Sequence, residues 1–116
     1  MYHRGSVIVA TDPFGETPRR PYLILSDETH PFAGKQYIAA GISTVSYPES
    51  LSLKGEFTEG KLTRESFLAP WAIVSIRSEH IDRAVARVTD NITDRTAKRA
   101  IEFVGVDNSK YSFGGD

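Results

Sequence analysis

The feature that most limits how this chain can fold is the stretch of residues 19–26, RRPYLILS, where two cations and a proline lead directly into an apolar run. An unbroken apolar run of this kind is typical of a strand buried on both faces, so we predict a central strand here. Pro21 cannot donate to a β-ladder and suits the first position of a strand. Arg20 precedes a proline, which restricts its backbone to extended conformations. The sequence therefore predicts a guanidinium held at a rigid strand end.

Composition sets the scale and the charge of the molecule. With 116 residues the chain is long enough for one domain, which we place at residues 1–105, followed by a flexible tail at residues 106–116 that is rich in Gly, Ser and Asn. Fourteen basic and fifteen acidic residues give a net charge of -1, so any site for a polyanion must be local. The absence of cysteine excludes disulfides and thiolate metal sites.

Other function classes lack support in the sequence. The histidines, His3, His30 and His80, have no metal-ligand spacing, so we predict neither a metal site nor a cofactor. No apolar run approaches the length of a membrane span, and no signal-type segment stands near Met1. We expect a cytoplasmic protein without membrane contact.

The order of apolar segments predicts a mostly β protein. Strands are expected at residues 7–10, 22–25, 36–44, 50–54 and 71–76, with a further short apolar segment at residues 66–68. Gly41 suggests a bulge or a close backbone approach, and Trp71 is expected in or over the core. No βαβ alternation is present, which favours a small, mainly antiparallel barrel.

A helix is predicted near the end of the domain, from about Thr93 to residue 104. Thr93 is a suitable N-cap, and Gly105 ends the helical pattern. Ala97, Ile101 and Val104 fall on one face, which we expect to pack on the core.

Hairpin geometry links two distant parts of the chain. If the second and third strands pair antiparallel, the start of one lies beside the end of the other. Folding about a loop near Pro31 places Arg20 opposite Ile42, and one step of slippage brings Ser43 or Thr44 beside it. A cation and a hydroxyl then share one rim. The plain alternative for Arg20 is a surface salt bridge.

Four segments, taken in order, resemble the MazF/PemK-like toxins: residues 4–10 (RGSVIVA), 12–16 (DPFGE), 20–26 (RPYLILS) and 38–44 (IAAGIST). The resemblance implies a small SH3-like barrel of the CcdB/MazF type that works as a homodimer. It also implies a sequence-selective mRNA endoribonuclease of a toxin–antitoxin system, which cuts single-stranded RNA without metal. Its protein partner is then a cognate antitoxin.

The resemblance assigns roles to individual residues. The family's catalytic arginine precedes the proline of the second strand, which is Arg20 here, and its catalytic hydroxyl follows the third strand at Thr44, with Ser43 beside it. Some members use a loop glutamate, for which Glu16 is the candidate general base. A guanidinium stays charged and matches phosphoryl oxygens, so Arg20 is expected to stabilise the transition state electrostatically.

Further residues are expected to contact RNA. Arg19 can hold a phosphate, Ser43 is a further RNA-binding candidate, and the aromatic side chains of Phe14, Tyr47 and Tyr22 can stack on unpaired bases. Because fold does not determine function, a non-enzymatic relative that binds RNA or poisons a protein such as gyrase stays an alternative.

Overall fold

The computed structural model describes residues 1–11 and 18–105. Within these residues the chain forms seven strands and one α-helix. In chain order they are β1 (Ser6–Thr11), β2 (Arg19–Ile24), β3 (Gln36–Ser43), β4 (Leu51–Ser52), β5 (Phe57–Gly60), β6 (Phe67–Arg77), β7 (Ile81–Val88) and α1 (Asp90–Val104). A 3₁₀ turn at Ser78–His80 joins β6 to β7. The predicted tail lies outside the described residues.

All strands belong to one antiparallel sheet, in the order β4-β6-β3-β2-β1-β7-β5. The sheet curls into a half-barrel with α1 packed against β6. The strand that begins at Arg19 is the middle one of the seven, so the predicted central strand and the mainly antiparallel fold are confirmed.

The sheet is buried on both faces because its central strands carry apolar residues at successive positions. Val7, Leu23 and Ala40 pack on one face, where Ile92 of α1 joins them. Ile8 and Ile24, one position further along their strands, belong to a second core on the other face. The unbroken apolar run of β2 is therefore covered by core residues on both faces of the sheet.

A large irregularity interrupts the pairing of β3 with β6. Ala40 pairs with Ile73, but the next residue, Gly41, pairs with Ala69, so β6 contains three more residues than β3 at this point. Pro70 lies within this excess segment, where the ladder does not need its missing N–H. A Cβ on Gly41 would lie 3.3 Å from the Cβ of Ala72, so the strands approach closely here. Gly41 therefore marks both the bulge and the close contact that its sequence position suggested.

Some strand boundaries differ from the prediction. The alternating segment at residues 50–54 pairs only over Leu51–Ser52, and the apolar segments at residues 66–68 and 71–76 are parts of one long strand, β6. Strands β5 and β7 were not predicted. Trp71, which was expected in or over the core, is not within it: its side chain is exposed, because the bulge displaces this part of β6 from the regular ladder.

The helix starts earlier than Thr93. Thr89 is the N-cap, and its hydroxyl oxygen accepts the Ile92 N–H at 3.2 Å. Thr93 is instead a buried residue of the first turn, and its hydroxyl donates to the Thr89 carbonyl. Both threonines fit a cap by sequence, and the one that follows β7 directly takes the role. Gly105 ends the helix with φ +81°, as predicted.

The expected core face of α1 was also wrong. Ile92, Thr93, Thr96 and Ala100 are its buried residues, whereas Ile101 and Val104 are 54% and 75% exposed. The helix is rotated toward its threonines, which bury their methyl groups and bond their hydroxyls to backbone carbonyls one turn earlier. Four exposed aliphatic side chains consequently lie around a shallow groove between α1 and the sheet. We name them the aliphatic strip: Ile38, Ile73, Ile101 and Val104.

Candidate functional site

A cleft of about 610 Å³ opens where β2 starts and β3 ends. Its volume is within the range of small-molecule and cofactor sites, about 300–1,000 Å³. Its lining comes from β2, β3, the loop after β3, the bulge of β6 and the end of α1. The lining residues are Arg20, Ser43, Tyr47, Pro48, Glu49, Ala69, Trp71, Ala72 and Phe103.

The pairing of β2 with β3 brings Arg20 and Ser43 together. Tyr22 is the register partner of Gly41, and two further residues along each strand lead to Arg20 and Ser43. Residues two apart on a strand share a face, so the two side chains reach the same side of the sheet. Both line the cleft. The predicted juxtaposition of a cation and a hydroxyl is therefore present, with Ser43 as the hydroxyl.

Arg20 is half-buried at the start of β2, and none of the carboxylates described in the structure lies within ion-pair distance of it. Its neighbour Arg19 is more exposed and pairs with Asp82 at 3.2 Å. Asp82 also binds Arg83 at 2.6 Å. Arg19, rather than Arg20, therefore forms the surface salt bridge that was the plain alternative. Arg19 does not line the cleft, and the RNA-binding role of Arg19 stays a prediction.

The two candidate hydroxyls differ in position. Ser43 is half-buried and its Oγ accepts the Val45 N–H at 3.0 Å, so its oxygen is already oriented. Thr44 follows the end of β3, is exposed and is not among the residues that line the cleft. The catalytic role of Thr44 stays a prediction. Ser43, the residue before it, is the hydroxyl that lines the cleft.

The other candidate residues are distributed unevenly. Tyr47 lines the cleft and is exposed, as base stacking requires. Tyr22 is buried in the core, so it is not available to stack on a base. Phe14 and Glu16 lie outside the described residues, and their roles stay predictions.

Three lining residues with charged or aromatic side chains were missed by sequence reasoning: Glu49, Trp71 and Phe103. Glu49 lies in the turn just after the third strand, so its closeness to Ser43 along the chain was an available signal. Trp71 follows Pro70, and a proline inside a strand indicates a bulge that can re-aim its neighbour. Phe103 had no such signal, because its direction depends on how α1 docks.

No three His, Asp or Glu side chains of residues 1–11 and 18–105 group closely enough to hold a metal ion. In the same part of the chain, no helix has both the length and the apolarity that crossing a membrane requires.

No protein-family model and no curated protein sequence matches the chain. Solved structures, however, superimpose on most of it. An endoribonuclease from a mycobacterial species matches with a TM-score of 0.68 at 14% identity, over 91% of this chain and 93% of its own. MazE–MazF from Deinococcus radiodurans matches with a TM-score of 0.68 at 15% identity, over 90% and 95%. A mycobacterial endoribonuclease in complex with its cognate antitoxin gives 0.63 at 16%, over 88% and 90%.

These matches define the class of fold. Identities this low establish a shared architecture, and coverage near 90% on both sides means that the whole domain is shared rather than one motif. The chain therefore has the fold of the MazF endoribonuclease toxins, an antiparallel half-barrel with a C-terminal helix. The resemblance read from the sequence is confirmed at the level of the fold.

Proposed function

We propose that this protein is the toxin of a toxin–antitoxin system and that it cleaves single-stranded RNA in the cytoplasm. The observation that carries the proposal is the cleft that Arg20 and Ser43 share, at one end of a fold whose solved examples include endoribonucleases. Fold alone would not select an activity. The chemistry of the cleft supplies the rest of the argument.

The proposed reaction needs no metal. The 2'-hydroxyl of a ribose attacks the adjacent phosphorus, and the bond from phosphorus to the 5'-oxygen of the next nucleotide breaks. The departing 5'-oxygen takes up a proton from water, so the products are a 2',3'-cyclic phosphate and a free 5'-hydroxyl. Negative charge grows on the phosphoryl oxygens during the attack. The Arg20 guanidinium is permanently charged, and Pro21 holds its backbone extended at the start of β2, so the cation is placed at a rigid strand end where it can stabilise that charge.

A hydroxyl and a base complete the proposed machinery. Ser43, or Thr44 beside it, donates a hydrogen bond to a phosphoryl oxygen. A carboxylate accepts the proton of the attacking 2'-hydroxyl, because Arg20 cannot act as a base. Glu49 is the carboxylate among the lining residues, and Glu16 remains the carboxylate that the family resemblance implies.

Two protein partners belong to the proposal. Matching structures include one solved with its cognate antitoxin and one of MazE with MazF, which supports an antitoxin partner here. We assign the aliphatic strip to a second copy of this chain, since the resemblance implies a homodimer. The strip is apolar, whereas the neighbouring cleft carries Arg20 and Glu49, so the two surfaces suit different occupants.

The test is cleavage of a mixed-sequence single-stranded RNA in the presence of a chelator, with end mapping of the fragments. Wild-type protein should produce 5'-hydroxyl ends, and Arg20→Ala should lower the rate by about 10²–10³-fold. Arg77→Ala is the matched control, because Arg77 is also at a strand end but is exposed and pairs with Glu79 away from the cleft. We expect it to cleave like wild type.

The non-enzymatic alternative gives a different pattern. A folded wild-type protein that leaves the RNA intact, together with toxicity on expression that survives Arg20→Ala, would select a protein poison or an inactive RNA binder. Loss of cleavage in Arg77→Ala as large as in Arg20→Ala would refute a specific role for Arg20.

A further inference from the structure

Three aromatic side chains form a continuous cluster along the cleft. The Trp71 ring meets Tyr47 edge-on, with centroids 5.7 Å apart and planes at 87°. It meets Phe103 in the same manner, with centroids 6.2 Å apart and planes at 84°. The three rings come from the loop after β3, from the bulge of β6 and from the end of α1. Distant parts of the chain thus converge on one aromatic cluster, with Trp71 in its middle.

This cluster is not part of the hydrophobic core. Trp71 and Phe103 are each 43% exposed and Tyr47 is 51% exposed, whereas the core tyrosines Tyr22 and Tyr37 are 2% and 3% exposed. Burying an aromatic side chain is strongly favourable, so three large rings left half-open at one place represent unused apolar surface. Such a surface indicates a ligand with aromatic or apolar faces.

The backbone is arranged so that Trp71 stays at the cleft. The excess segment of β6 contains Pro70, Trp71 and Ala72, and it removes Trp71 from the register that would pair it with β3. Pro70 fits because it has no N–H to lose, and Gly41 leaves room for Ala72. Bulges often re-aim a side chain next to a functional site.

Cations accompany the rings. Arg20 lines the same cleft, and the guanidinium of Arg99, which also pairs with Glu102, lies 4.8 Å from the centroid of the Phe103 ring. Aromatic surface combined with positive charge is what proteins use to hold unpaired nucleotides, because every base has a face to stack and every linkage a negative phosphate. The aliphatic strip has neither aromatic rings nor cations, so it does not suit an unpaired nucleotide.

We infer that Trp71, supported by Tyr47 and Phe103, is a base-stacking platform for a nucleotide next to the phosphate that Arg20 holds. The inference deepens the proposed endoribonuclease function and rests on it for the identity of the ligand as single-stranded RNA. In this arrangement Arg20 acts on the reacting phosphate, and Trp71 binds and positions the flanking nucleotide.

Trp71 is the only tryptophan of the chain, so fluorescence excited selectively at tryptophan reports on this position alone. The probe is a pool of mixed-sequence eight-nucleotide RNAs with 2'-O-methyl groups, which lack the attacking hydroxyl and cannot be cut by the proposed reaction. Wild-type protein should show saturable quenching with this pool. An abasic pool of equal length carries the same phosphates without bases and should give little quenching.

Variants test the stacking independently of fluorescence. By anisotropy of a labelled 2'-O-methyl pool, Trp71→Ala should bind roughly 5- to 150-fold more weakly, the range of one base–aromatic stack. Trp71→Phe keeps an aromatic face and should recover most of the affinity. With cleavable RNA, Trp71→Ala should raise KM more than it lowers kcat. Phe103→Leu retains the tryptophan and should weaken base-dependent quenching. A thermal melt on each variant verifies folding.

The outcomes separate this inference from the proposed function. Cleavage of RNA by wild type with equal quenching by the two pools, or unchanged affinity in folded Trp71→Ala, would overturn the stacking platform and leave the nuclease intact. Base-dependent quenching without cleavage of ordinary RNA would support the stacking platform and refute the proposed endoribonuclease function. Quenching by an antitoxin peptide but by neither pool would assign the cluster to a protein ligand and overturn the inference.

Discussion

Replacing Ser43 by alanine tests which hydroxyl serves the reacting phosphate. Ser43 is the last residue of β3, and its Oγ accepts the Val45 N–H at 3.0 Å. That bond uses the oxygen as an acceptor, so the hydroxyl hydrogen remains to be donated to a phosphoryl oxygen. The substitution removes both interactions while leaving Arg20 and the backbone pairing of β3 in place.

The size of the effect follows from these contacts. A hydrogen bond to a charged group contributes about 1.5–3 kcal/mol, and losing it in the transition state lowers kcat by about 10- to 150-fold. The Val45 N–H lies at an exposed bend where water can replace the lost acceptor, so the free energy of unfolding should fall by only about 0.5–1 kcal/mol. The protein therefore stays folded, and Ser43→Thr, which keeps a hydroxyl, should retain most of the activity.

The comparison with Thr44→Ala makes the experiment decisive. Thr44 is exposed and does not line the cleft, so its truncation should change the rate by less than about threefold. The assay is single-turnover cleavage of a mixed single-stranded RNA in the presence of chelator, with a circular-dichroism melt of each variant. A loss of tenfold or more in Thr44→Ala, with Ser43→Ala nearly as active as wild type, would refute the geometric assignment and favour the hydroxyl that the family resemblance implies.

Two further pairs of variants test the base and the backbone. Glu49→Gln should lower cleavage by about 10²-fold, because the amide cannot accept the proton of the attacking 2'-hydroxyl; the same result in Glu16→Gln alone would assign the base to Glu16. Gly60→Ala should cost about 2–5 kcal/mol in urea unfolding, since φ is +62° and the new Cβ would lie 2.3 Å from the Val85 carbonyl oxygen. Gly55→Ala, with φ +77° and open space, should cost only about 1–2 kcal/mol, and equal losses would contradict the steric argument.

The sequence was most informative where local rules and burial agree. The apolar run after Pro21 indicated a strand covered on both faces, and β2 lies at the centre of the sheet. The N-cap of the helix was predicted four residues late, because Thr89 and Thr93 both suit an N-cap. Thr89 takes the role because β7 ends at Val88, directly before it. The end of β7 is determined by its long-range pairing with β1 and β5 and not by local propensity.

The wrong face of α1 has a similar cause. Hydrophobic periodicity selected Ile101 and Val104 as core residues, yet the helix buries Thr96 and Ala100 instead. Small residues let the helix lie close to the sheet, and the Thr96 hydroxyl is satisfied by the Ile92 carbonyl at 2.8 Å, so its burial costs little. Apolar side chains that face outward in this way suit a second protein surface, which periodicity alone cannot distinguish from a core.

The cleft itself combines a predictable half with an unpredictable one. Arg20 and Ser43 belong to one hairpin, so antiparallel register was enough to bring them together. Trp71 and Phe103 arrive from β6 and α1, and their meeting depends on the excess segment of β6, which Pro70 permits but does not dictate. The cation is thus fixed by local pairing and the aromatic cluster by long-range packing. Substitutions in the two halves should accordingly have different effects. Replacing Arg20 should lower the rate of the chemical step, and replacing Trp71 should lower the affinity for RNA.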